Sequence, residues 1–73
     1  MSHEAIFKRA QKHHRDNPGT PIRVTEVEAR QVIARLCAGA RLRDETLSED
    51  AEFALWRSGQ KQIRLFGELM LPT

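Results

Sequence analysis

The segment from Thr25 to Gly39 constrains this chain more than any other, because it specifies the start, the buried face and the stop of one amphipathic helix. Thr25 stands as an N-cap, and Glu28 three residues later completes a capping box by reaching back to the Thr25 amide. Ala29, Val32, Ile33, Leu36, Cys37 and Ala40 follow at i, i+3, i+4, i+7, i+8 and i+11. At about 100° per residue they fall within a stripe of ~140°. Gly39 is the expected stop, since glycine enters the left-handed region at a helix C-terminus without a Cβ clash. A helix with such a stripe needs something to bury it against, and the rest of the chain must supply the cover.

The rest is short. A chain of 73 residues is expected to form one domain near the lower size limit for a self-sufficient core. Its single cysteine excludes an internal disulfide, and no cysteine cluster offers a structural zinc site. Burial of apolar side chains must then provide most of the stability, so self-association or a protein partner is an expectation of size alone. The residues Met1-Ser2-His3-Glu4 carry no apolar leader-like run, and no stretch approaches the ~20 apolar residues of a membrane span. A cytoplasmic protein without membrane contact is the expectation.

Two further helices are signalled. Ser2 to Asp16 has helical composition with no interior glycine or proline, and Asn17-Pro18-Gly19-Thr20-Pro21 ends it. Ile22-Arg23-Val24 is short and mostly β-branched, which suits a brief extended lead into the Thr25 cap, with Val24 stapled against Ala29. Beyond Gly39 a polar connection is expected to be anchored by Leu42. Ser48 then caps a helix whose first turn carries Glu49 and Asp50, and Gly59 repeats the stop signal.

The terminal stretch from Gln60 to Thr73 supports two periods. Ile63, Leu65, Leu69 and Leu71 alternate as in a strand, whereas Ile63, Phe66 and Met70 recur at helical spacing around Gly67. The reading adopted is a short helix from Gln60 to Phe66 followed by an extended tail to Pro72. The predicted fold is therefore mostly α, a small domain of three to four helices near 3–16, 26–38 and 49–58, with a fourth short element near 60–71 that is either helical or extended.

Motifs for chemistry are sparse. His13 and His14 project about 100° apart on a helix, and Asp16, at i+3 from His13, does not by itself make them a metal ligand set. Cys37 sits on the apolar stripe, where cysteine behaves as a small hydrophobe rather than a nucleophile. No phosphate-binding loop, dinucleotide fingerprint or zinc-protease motif occurs, so neither catalytic residues nor a metal or cofactor is expected.

Two surfaces remain as candidates. The run from Ile63 to Leu71 places six large apolar side chains in nine residues, more than a terminal segment usually needs. It either closes the core over the Thr25 helix or forms a patch with Phe53 and Trp56 that meets another protein or a second copy. The leading expectation is a non-enzymatic regulatory or adaptor protein, with Phe53, Trp56, Phe66 and Met70 at its interface. The alternative is a nucleic-acid-binding regulator. Residues 1–24 carry a net charge of +3, from five cations against Glu4 and Asp16, and Lys8, Arg9, Lys12 and Arg15 share one side of the first helix. A helix-turn-helix over Ala51 to Leu69 would instead present Gln60, Lys61, Gln62 and Arg64.

Overall fold

A computed structural model describes residues 3–65 and 67–73. Helix α1 spans His3–Asp16, α2 spans Glu26–Leu42 and α3 spans Glu49–Arg57, while strands β1 (Ile22–Val24), β2 (Ile63–Leu65) and β3 (Glu68–Pro72) form one sheet. The mostly α expectation holds, with three helices carrying more than half of the described residues.

Each helix end has a local cause. Thr25 Oγ1 accepts the Glu28 amide at 3.3 Å and the Thr25 amide donates to Glu28 Oε1 at 3.0 Å, so the capping box is closed in both directions. The Asn17-Pro18-Gly19-Thr20 turn has Gly19 at φ +81° and a bond from the Thr20 amide to the Asn17 carbonyl, the geometry of a type II turn. Ser48 caps α3 through the Ala51 amide, and Gly59 at φ +80° ends it as expected.

Gly39 does not end α2. The helix continues for another turn because Ala40 is fully buried on the same stripe, and it closes only when Asp44 takes the left-handed conformation at φ +57°. The Asp44 amide then bonds the Arg41 carbonyl and the Glu45 amide bonds the Ala40 carbonyl, a Schellman pair. The Gly59 and Gln60 amides make the same pair with Trp56 and Leu55. Both helices end in one motif, once with glycine and once with aspartate.

Among the described residues of the 60–71 stretch there is no fourth helix. Ile63–Leu65 is a strand, antiparallel to β3 with Ile63 opposite Met70 and Leu65 opposite Glu68. β1 joins the other side of β3 in parallel, Ile22 opposite Met70, giving the order β1-β3-β2. The strand alternation wins because it buries Ile63, Leu65 and Met70 together while Arg64 points to solvent; the helical alternative would have placed Leu65 off the buried face. Phe66, which the helical period needed, lies outside the described residues.

Side chains from all six elements meet in one core. Ile6 and Ala10 of α1 and Ile22 and Val24 of β1 pack with the α2 stripe. Phe53 and Trp56 of α3, with Ile63, Leu65 and Met70 of the hairpin, complete it. The expected pairing of Val24 with Ala29 falls inside this cluster. Leu42, by contrast, does not anchor the connection after α2; it is 86% exposed.

Candidate functional site

The interface expected on Phe53, Trp56 and Met70 is not a surface. All three are buried, Trp56 to 1% exposure, and they cement α3 and the hairpin to α2. The core therefore takes up Phe53, Trp56, Ile63, Leu65 and Met70 of the C-terminal half, while Leu69 and Leu71 are half-buried and Leu47 and Leu55 are exposed. Phe66, the fourth residue of the expected interface, lies outside the described residues.

The basic face of α1 is partly committed as well. Lys8, Arg9, Lys12 and Arg15 are all exposed, but Arg9 lies 2.5 Å from a carboxylate oxygen of Glu28, a residue only 4% exposed. That guanidinium, together with the Thr25 amide and hydroxyl, holds the Glu28 carboxyl below its ordinary range against the opposing effect of burial. Lys8, Lys12 and Arg15 make no ion pair among the described residues.

The helix pair α2–α3 is latched by Arg30, whose guanidinium lies 3.9 Å over the Phe53 ring and 3.0 Å from Asp50. Arg57 adds a bond to Glu26 at 3.2 Å. The first turn of α3 carries Glu49, Asp50 and Glu52, charges that repel phosphate. The residues expected to read a groove from a second helix, Gln60, Lys61, Gln62 and Arg64, lie on the approach to β2 and on β2 itself. A helix-turn-helix over Ala51–Leu69 is therefore corrected to a helix followed by a hairpin.

What the fold leaves open is a groove between α2 and β2. Leu36 sits well inside the α2 stripe, as far from its midline as the buried Ile33, yet it is 36% exposed. The core covers Ile33 and Ala40 on either side of it and stops short of Leu36. Around it, Ile33, Cys37, Leu47, Glu52 and the stretch Lys61–Arg64 line a depression of about 260 Å³. A second depression shares Leu36 and Arg43 with the first and continues to Gly39, Leu42 and Leu65. Together they run beside β2 from Lys61 to Leu65.

The groove has an apolar floor, basic margins and one open strand edge. Among the described residues β2 pairs with β3 alone, so its outer edge has no partner strand there. Arg35, Arg43, Lys61 and Arg64 line the two depressions against the single carboxylate of Glu52. Lys61 is paired with Glu52, and Arg43 with Glu45 at 3.4 Å. Arg35 and Arg64 make no ion pair among the described residues. Leu36 carried a signal in the sequence, as a residue of the stripe, but only the extent of the sheet decides whether such a residue is covered.

Cys37 lies on the groove floor but is nearly inaccessible, and burial, with Glu49 and Glu52 nearby, pushes its thiol pKa up. No group of three or more His, Cys, Asp or Glu side chains able to hold a metal occurs among the described residues. No helix of the described residues is long and apolar enough to cross a membrane.

Comparison with protein-family models, curated proteins and solved structures finds no match to this chain. Its function has to be argued from the groove and the surfaces themselves.

Proposed function

We propose that this chain is a non-enzymatic adaptor or regulatory protein that receives a protein partner in the groove between α2 and β2. The observation that carries the reading is Leu36, an apolar side chain within a buried stripe that the chain's own core leaves about a third exposed. Leu47, from the connection before α3, faces the same depression at 40% exposure. Apolar side chains that converge on a concave site, rimmed by charge, are the pattern of a recognition surface rather than of scattered surface leucines.

The test is site-specific crosslinking in the cells that make the protein. A photoreactive residue replacing Leu36 or Leu47 should give a discrete protein adduct, and one replacing Gln11 on α1 should not. The adduct should disappear when Arg64→Glu is added to a chain that keeps its circular dichroism spectrum. Equal adducts from all three positions, or none from the groove, would overturn the reading.

A second reading has its own observation. Lys8, Lys12 and Arg15 recur at i, i+4 and i+7 on α1, exposed and without ion-pair partners among the described residues. A polyanion bound there would dissociate steeply with salt, with a log–log slope of about −0.9 per phosphate neutralised on a duplex. With three such cations the slope would not exceed about −3 in magnitude. The groove is favoured because it combines shape, apolar surface and charge, whereas the α1 face has charge alone and lacks interleaved aromatics.

A further inference from the structure

The groove reading leaves the form of the partner open, and the edge of β2 narrows it. Resting on that reading, we infer that the occupant is an extended, acidic segment of another protein that adds to the free edge of β2 as a fourth strand. Three features of the site lead there.

The first is backbone. β2 is the terminal strand of the order β1-β3-β2, and alternate residues of an edge strand direct N–H and C=O groups outward. In the three-residue β2 the register with β3 leaves Arg64 as the residue whose backbone groups face outward, and Arg64 is among the residues that line the depression. A segment lying between a helix and a sheet edge can satisfy them only by running extended beside β2, which is how strand addition derives affinity from main-chain hydrogen bonds.

The second is the floor. A strand added beside β2 turns alternate side chains toward opposite faces of the sheet. Leu36 and Leu47 offer apolar contact on the α2 side of the edge, and the two adjoining depressions, of about 260 and 490 Å³, continue along β2 to Leu65.

The third is charge, and it separates the occupants. Arg64 points to solvent from the middle of β2, with Lys61 before it and Arg35 across the groove on α2. A second copy pairing antiparallel across the edge about Arg64 would set Arg64 opposite Arg64, a like-charge cross-strand pair that destabilises. A strand carrying glutamate or aspartate at the facing position gains a complementary pair instead. The acidic segment is thus selected both by attraction and by exclusion of self.

The experiment is a titration of the isotope-labelled full chain, followed by amide chemical shifts, with three capped synthetic peptides of about eight residues. One alternates valine and glutamate, one alternates valine and lysine, and one is the glutamate peptide with alternate amides N-methylated. The glutamate peptide should bind saturably and shift the amides of residues 61–65 and 36–43, and N-methylation should weaken it at least tenfold. The lysine peptide should fail against the native chain and bind to the Arg64→Glu variant.

No binding of the glutamate peptide, equal affinity for the three peptides, or shifts confined to α1 would overturn the inference. So would a doubled hydrodynamic mass of the free chain with shifts in β2 on dilution, which would make the occupant a second copy. Formation of the Leu36 adduct on the native chain requires only that the groove be occupied, whatever the charge or form of the partner; its loss with Arg64→Glu belongs to the charge argument. A positive crosslink with a failed titration therefore overturns strand addition alone, and failure of both removes the groove as a binding site.

Discussion

The Arg9 guanidinium reaches across from α1 to the Glu28 carboxylate at 2.5 Å, and Glu28 is the same residue that closes the capping box of α2. One buried carboxylate therefore terminates a helix correctly and ties a second helix to it. Its partners are an amide, a hydroxyl and a cation, and it sits in the first turn of α2, where the helix dipole also favours negative charge. Arg9 itself is about half exposed, so solvent screens part of the pair.

Replacing Arg9 by Met should destabilise the fold by about 1–2 kcal/mol, less than the 3–5 of a fully buried pair because solvent reaches the guanidinium. Chemical denaturation at pH 7 measures it directly. A loss no larger than that of Lys12→Met would show that the pair contributes nothing.

The same carboxylate sets a pH dependence. Its folded pKa is held down by Arg9 and Thr25, so the unfolded chain takes up the proton first as pH falls. The stabilisation is complete above the unfolded carboxylate pKa of about 4.3 and is lost as pH falls through the lower folded value. Glu28→Gln keeps an amide able to serve the capping box but removes the titration. Its stability curve below about pH 5 should be flatter than that of the native chain, and an unchanged acid limb would refute the linkage.

Asp44 occupies the left-handed position that ends α2, where glycine is the usual residue and a carboxylate also opposes the helix dipole. Asp44→Gly should therefore stabilise the protein by roughly 0.5–1 kcal/mol, net of the entropy that glycine adds to the unfolded chain. The expected readout is a higher thermal midpoint. A lower one would mean that Asp44 contributes an interaction beyond its backbone conformation.

The sequence exposed the features governed by near neighbours and obscured those governed by distant ones. The Thr25–Glu28 box, the Ser48 cap, the Gly59 stop and the Pro18–Gly19 turn are each decided within a few residues, and each stands in the structure. Gly39 misled because its neighbour Ala40 is buried on the stripe, and helix extension by one turn is a tertiary gain. The 63–71 run carried both periods, and the choice fell to strand because β1, some forty residues earlier, supplies an edge for β3. Leu36 looked like core for the same reason that Ile33 did. Whether a residue of the stripe is covered depends on how far a sheet of three short strands extends, which no local pattern encodes.

Trp56 tests the corrected assignment of the C-terminal apolar residues. It is fully buried and 5.7 Å from Phe53 between ring centroids. Trp56→Ala should cost about 3–5 kcal/mol, enough to unfold a domain of this size, and should abolish cooperative melting. Had Trp56 been part of an exposed patch, the same change would leave the melt nearly intact.

Cys37 should be chemically silent in the folded state. Burial holds its thiol in the protonated form, and alkylation requires the thiolate and access. Labelling by a maleimide at pH 7 should therefore proceed in proportion to the unfolded fraction and accelerate across the denaturant transition in step with circular dichroism. Fast labelling well below the midpoint would show that the groove floor opens locally.

Leu36 offers the cleanest separation of binding from folding, because its position in the stripe and its exposure point to opposite roles. If its side chain contributes to the core as Ile33 does, truncation to Ala should cost about 2–5 kcal/mol. With a third of its surface open on the groove side, the expected cost of Leu36→Ser is about 1 kcal/mol, while Ile33→Ala loses the larger amount. The Leu36→Ser chain should melt cooperatively, yet lose the crosslinked adduct formed from a photoreactive residue at the position of Leu47. Retention of that adduct at native yield would mean that the partly exposed leucine is incidental to recognition, whatever its place within the stripe.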